Sequence, residues 1–158
     1  MIFVTVGGQI PFDRLVRTVD EWAGARGRTD VFAQIGPTDF RPRHIEAIEF
    51  LSPEEFRRKV ENARTLVAHA GMGSIITALE IGTPVLVMPR RADLHETRND
   101  HQVSAATRFQ SRGIMVAFDE KELWERLDAL DSVQKPERIS NAASPGLIRV
   151  LREFFEQA

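Results

Sequence analysis

Residues 65–89 read TLVAHAGMGSIITALEIGTPVLVMP, and their pattern is strand, glycine turn, helix, turn, strand. Residues 65–68 are a short apolar run of strand type. Residues 69–74 (His69, Ala70, Gly71, Met72, Gly73 and Ser74) form a turn. Ile75, Ile76, Leu79 and Ile81 follow at near-helical spacing. Gly82 ends that helix, and Pro84 stands where a helix cannot continue. Residues 85–88 are a second buried strand. The turn places glycines and a serine, Ser74, at a helix N-terminus. Backbone N–H groups without partners and the positive end of the helix dipole favour an anion there, most often phosphate. The stretch is therefore expected to hold the diphosphate of a nucleotide-linked substrate.

The same alternation extends in both directions. Residues 2–6 (IFVTV) show no polar alternation and read as a strand buried on both faces. The tight loop Gly7-Gly8-Gln9 follows, then a helix opening near Pro11 with Phe12, Leu15, Val16, Val19 and Trp22 as its apolar stripe. Residues 31–35 and 47–51 are the second and third strands. Ser52-Pro53-Glu54-Glu55 has the N-cap, N1 and N3 residues of a helix start, and that helix runs to about Asn62. After the central stretch come a polar loop over 90–97, a helix over 99–112, a strand over 114–118 and a helix from Asp119 or Glu120 to about Leu130. A last helix starts at Ser144-Pro145, with Leu147, Ile148, Val150, Leu151, Phe154 and Phe155 on its buried side. Strands alternating with helices predict an α/β, Rossmann-like doubly wound parallel sheet of about six strands in the order 3-2-1-4-5-6. In that order the loops after strands one and four face each other across the ligand crevice.

Composition narrows the function classes. The 158 residues suit a single domain spanning 1–158. A formal net charge of −2 argues against a dedicated nucleic-acid binder, which is usually basic. With no cysteine, disulfides, thiolate metal sites and cysteine nucleophiles are all excluded. The apolar start is too short for a signal peptide or a membrane span. Gly71-x-Gly73 has Ile76 where a dinucleotide fingerprint needs its third glycine, and no Gly-Lys-Ser/Thr occurs. NAD binding and ATP hydrolysis are both disfavoured. Asp93, His95, Glu96, Asp100 and His101 crowd one loop, yet their spacing fits no compact metal motif. Asp100-His101-Gln102, at a helix start after strand five, would point polar side chains into the crevice, where sugar hydroxyls suit them. Arg90, Arg91 or Arg98 could pair with a sugar carboxylate.

Taken together, VTVGG at the N-terminus, Gln34-x-Gly36, HAGMGS, GTPVLVMP and NDHQ resemble the C-terminal domain of family 28 glycosyltransferases. The match covers residues 2–113, and helix order extends it further. In length the chain is similar to single-domain members, the donor-binding subunits of dolichol-pathway and bacterial exopolysaccharide transferases; HAGMGSIITALE, MPRR and RNDHQ resemble the exopolysaccharide type most. The resemblance implies half of a GT-B fold. This chain would carry the UDP-sugar, and a membrane-anchored partner subunit would carry the acceptor-binding half. Such a pair would work at the inner, cytoplasmic face of the membrane on a polyprenyl-diphosphate-linked acceptor. By motif position, Gly71, Met72, Gly73 and Ser74 would hold the diphosphate with His69 beside them. Phe50, Leu51 and Ser52 would flank the uracil, and His101 and Gln102 would contact the donor sugar. Gly7 and Gly8 would leave room for the sugar and the acceptor. Thr77 stands where many relatives carry a glutamate that binds the ribose hydroxyls. No cofactor or metal is implied, since the UDP-sugar is a substrate. The general base would lie on the partner, so no catalytic residue is named here. Apolar surface left for docking would let the isolated chain self-associate. Two other readings stay open: a non-catalytic nucleotide-sugar-binding regulatory module, and a sugar-nucleotide epimerase-like domain.

Overall fold

A computed structural model describes residues 1–8 and 10–130. Gln9 of the first loop and the helix expected from Ser144 lie outside the described residues. The elements run β1 (Ile2–Thr5), α1 (Asp13–Arg26), β2 (Val31–Gln34), β3 (Glu46–Ile48), α2 (Pro53–Asn62), β4 (Thr65–His69), α3 (Met72–Ile81), β5 (Val85–Met88), α4 (His101–Ser111), β6 (Met115–Val116) and α5 (Glu120–Asp128). All six strands are parallel in the order β3-β2-β1-β4-β5-β6. This is the doubly wound order expected from the sequence, with its switch point between β1 and β4.

Period-2 alternation divides the apolar residues between two cores, one on each face of the sheet. Ile2, Val4, Val67, Leu86 and Met88 face α1 and α5, where they meet Leu15, Val19, Trp22, Leu123 and Leu127. Phe3, Leu66, Ala68, Val85 and Val87 face the other way, onto Val60 of α2, Ile75 and Ala78 of α3, and Ala105, Ala106 and Phe109 of α4. Because both faces are covered, β1 carries no exposed residue, as its unbroken apolar run required.

Local signals set most element ends. Ser52 and Glu55 close a capping box at the start of α2. Gly82 ends α3 in the left-handed region, with φ 84°. β1 and β2 end one residue before their apolar runs do, and two other strands fall further short. β3 ends at Ile48, so Phe50 and Leu51 lie beyond it. It is an edge strand with all three residues exposed, and only β2 holds it. β6 keeps only Met115–Val116 of the expected 114–118. The helix after β4 begins earlier than the residue types suggest. β4 stays in register with β5 through His69, opposite Met88. Only Ala70 and Gly71 remain for the reversal, and the Gly71 N–H donates to the His69 carbonyl at 2.8 Å. Gly71 is the N-cap, so Ser74 is the third residue of α3 rather than its cap.

Candidate functional site

The carboxyl ends of β1 and β4 lie side by side at the switch point, as their parallel pairing requires. The last residue of β4, His69, stands between the two glycine loops. A Cβ added to Gly7 would come within 2.9 Å of His69 Nε2, and one added to Gly71 within 2.5 Å of the same atom. Gly7 has a second reason to be glycine, a φ of +79°. By contrast, Gly8 and Gly73 border open space, with no atom within 4 Å of an added Cβ.

Above the ring, α3 presents its first turn. Among the described residues the Met72, Gly73 and Ser74 N–H groups have no hydrogen-bond partner. These are three of the four donors that any helix start leaves open. No acidic side chain occupies that turn. The Thr77 hydroxyl donates back to the Gly73 carbonyl at 2.9 Å, one turn into the helix.

Hydrogen-bond geometry sets the chemistry of His69. Its Nδ1 lies 3.2 Å from an Arg90 NH1 and 3.5 Å from Gln102 Nε2. Both neighbours can only donate, so Nδ1 accepts and the ring proton sits on Nε2, the nitrogen facing the glycine loops. Burial, then the Arg90 charge, pushes the His69 pKa down to about 3. The ring is a neutral N–H donor at neutral pH. Since the unfolded ring titrates near 6.5, the unfolded chain takes up the extra proton between there and 3. Stability attributable to His69 is therefore complete above about pH 6.5 and falls as pH drops through this window, by at most about 1.4 kcal/mol per pH unit. Denaturant unfolding of wild type and His69→Gln at pH 7, 6, 5 and 4 checks this. The wild type should lose more stability on acidification, and equal losses would contradict it.

Arg90, whose residue type suits pairing with a sugar carboxylate, turns inward instead. It is 5% exposed, and its guanidinium donates to the carbonyls of Val6 and Ile10. Arg91 pairs with Asp93, at 2.6 Å, while Arg98 is exposed. Gln102 accepts from the Arg90 N–H at 3.0 Å, so its side chain braces the end of β5 as well as lying near His69. His101 is exposed at the start of α4. The loop after β5 is tied to α1 by a bidentate pair, Arg14–Glu96, at 2.9 Å with both side chains almost 90% buried. The loop's acids thus have protein partners: Glu96 with Arg14, Asp93 with Arg91, and Asp100 accepting from the Ala92 N–H. Among the described residues no three His, Asp or Glu side chains are grouped to hold a metal ion.

Phe50, Leu51 and Ser52 follow the end of β3, beyond β2 from the crevice. Phe50 is half exposed, and the Ser52 oxygen accepts from the Glu55 N–H as the α2 cap. Ile10 and Leu94, in the loops after β1 and β5, are also about half exposed. A concavity of about 830 Å³ lies elsewhere, between α1, α5 and the loop after β5, lined by Arg14, Arg17, Glu96, Glu120 and Trp124 among others. It contains no glycine loop, and the helix start that borders it, that of α5, carries the acids Glu120 and Glu122 in its first turn, which disfavour an anion. The geometry that fits an anion is the switch-point crevice. No described helix is long and apolar enough to cross a membrane.

Residues 1–146 match the model of the glycosyltransferase family 28 C-terminal domain. The chain is 26% identical over 133 residues to the UDP-N-acetylglucosamine transferase subunit ALG13 of Yarrowia lipolytica, covering 75% of this chain and 65% of that protein. It spans between 30% and 65% of the length of the curated relatives it matches. Its fold is similar to the NMR solution structure of ALG13, with a TM-score of 0.65 at 18% identity, covering 95% and 94% of the two chains. It is also similar to the crystal structure of the glycotransferase of kitacinnamycin, with a TM-score of 0.59 at 23% identity. There, 99% of this chain aligns with 39% of the other. The architecture is that of the C-terminal half of a GT-B glycosyltransferase.

Proposed function

The chain belongs to the glycosyltransferase family 28 C-terminal domain family, and from that premise we propose that it is the donor-binding, catalytic subunit of a UDP-sugar-dependent glycosyltransferase. One observation carries the reading: three backbone N–H groups without partners among the described residues open α3 beside the Nε2–H of a neutral His69, facing the first glycine loop. A diphosphate seated there would meet four donors and the positive end of α3. In the reaction an acceptor hydroxyl attacks the anomeric carbon, the bond to the diphosphate breaks and UDP leaves. Negative charge grows on the leaving diphosphate, so these donors act most strongly in the transition state. Each is worth roughly 2–4 kcal/mol by the measure of other preorganised oxyanion donors.

The described residues offer a seat for the leaving group but no base poised to take the acceptor proton. His69 is a poor base with its pKa near 3. A second chain would supply the base and the acceptor site. Ile10, Phe50 and Leu94, half exposed in loops at the carboxyl edge of the sheet, suit such a docking face. The proposal extends to a membrane-associated partner, a polyprenyl-diphosphate-linked acceptor and a role in glycan or exopolysaccharide biosynthesis at the cytoplasmic face of the membrane. His101 is proposed as a donor-sugar contact, Thr77 as the neighbour of the ribose, and Phe50, Leu51 and Ser52 as the flank of the uracil.

Calorimetric titration of UDP, UDP-GlcNAc, UDP-glucose and UDP-glucuronate into the chain, alone and with a co-expressed partner, tests the reading. Saturable binding of UDP and of one UDP-sugar is expected, and no binding in either setting would defeat it. Sugar transfer to a polyprenyl-diphosphate acceptor by the pair separates an enzyme subunit from a regulatory module, and conversion of the UDP-sugar without acceptor would indicate epimerase chemistry.

A further inference from the structure

Arg90 joins three segments that the chain brings together from far apart. One NH2 group donates to the carbonyls of Val6, at 2.8 Å, and Ile10. The other lies 3.2 Å from His69 Nδ1. The Arg90 main-chain N–H is held by Gln102 of α4, and the guanidinium carbon lies 5.2 Å from the centre of the Phe12 ring. Its Nε is buried without a partner among the described residues. Among the described residues no carboxylate lies within ion-pair distance of it. A buried cation is ordinarily paired with an acid. Here its acceptors are two carbonyls and a ring nitrogen, all of them parts of the crevice wall.

We propose that Arg90 is a positioning residue: it locks His69 as the Nε2–H tautomer and so aims that N–H at an anionic oxygen of the donor diphosphate. The inference rests on the donor-site reading above and assigns Arg90 its part in it. Three features carry it. The guanidinium has no acceptor, so the nitrogen it touches must be unprotonated. The other ring nitrogen is the one facing Gly7 and Gly71. Val6 and Ile10 bracket the first glycine loop, so the same fork that fixes the ring also holds that loop against it. A lysine ammonium, a single compact donor group, cannot span these three acceptors as a planar fork does. The positive charge on the Nδ1 side also polarises the ring and strengthens Nε2–H as a donor.

The experiment is ¹⁵N-edited NMR of the His69 ring in the full chain, with UDP titration, for wild type, Arg90→Lys and Arg90→Met. Wild type should show Nε2 protonated and Nδ1 bare from pH 5 to 8, with the Nε2 resonance moving when UDP is added. Both variants should show mixed tautomers and a UDP affinity lowered roughly ten-fold or more, the scale of one lost charge-assisted contact. A wild-type ring that is protonated on Nδ1 or mixed would overturn the proposal, as would variants with unchanged tautomer and affinity. If a variant gives no dispersed amide spectrum, the wild-type tautomer and its response to UDP decide the matter. The two readings fail differently. A wild-type chain that binds no UDP defeats the donor site and with it the diphosphate contact. UDP binding alongside the wrong tautomer defeats the role of Arg90 alone.

Discussion

Gly73→Asp is expected to lower UDP affinity by at least two orders of magnitude while leaving the melting temperature at or above that of wild type. The two halves of this result have separate causes. Gly73 is exposed, and nothing lies within 4 Å of an added Cβ, so a side chain fits without collision. At the second position of α3, a carboxylate interacts favourably with the positive end of the helix, by about 0.3–1 kcal/mol. Replacing glycine also improves helix propensity. The same carboxylate occupies the anion seat and repels a diphosphate. Calorimetry with UDP, paired with thermal unfolding, reads both. Unchanged UDP affinity would remove the site from α3, and Gly73→Ala, which adds bulk without charge, should fall between the two.

Gly71→Ala should behave in the opposite way, losing stability and binding together. Its φ of −95° suits any residue, so the backbone is not the obstacle. The obstacle is His69: the new methyl group would overlap ring atom Cε1 and lie 2.5 Å from Nε2. The ring cannot swing aside freely, because Arg90 and Gln102 hold its far side. Relief requires breaking those contacts or shifting the turn. A cost of about 2 kcal/mol, within the usual range for overpacking, should accompany at least a ten-fold loss of UDP affinity. Wild-type stability in this variant would mean that the ring is not held as described.

The contrast between Gly71 and Gly73 also shows what the sequence could and could not disclose. Both glycines were legible as parts of a strand-turn-helix anion seat, because helix starts and stops are written in neighbouring residues. The capping box at Ser52 and the stop at Gly82 are legible for the same reason. The strand order followed too, since alternating apolar runs and helices leave few topologies. What distinguishes the two glycines is contact with His69, and no local pattern encodes that. Ser74 is one case of the limit. Its residue type suits an N-cap, but tertiary pairing carried β4 on to His69 and moved the cap to Gly71.

Arg90 marks the limit more clearly. In sequence it is one of two adjacent arginines heading a polar loop. Its acceptors at Val6 and Ile10 lie 84 and 80 positions away. Burial of a charged side chain is decided by what the fold assembles around it, so composition pointed outward while the structure turned it in. Gln102 is similar: its position at the start of α4 was legible, its hydrogen bond to the Arg90 N–H was not. The strand that ends at Ile48 was overestimated because an edge strand has half the pairing partners, and an apolar run alone does not hold Phe50 in it.

Whether the open N–H groups of α3 form the diphosphate seat is read residue by residue in an amide NMR titration of the full chain with UDP. The largest shifts should fall on the amides of Met72, Gly73 and Ser74, with smaller ones at Gly7 and Gly8, and all should saturate together. Saturating UDP that leaves these amides unmoved, or that shifts the groove between α1 and α5 instead, would contradict that assignment.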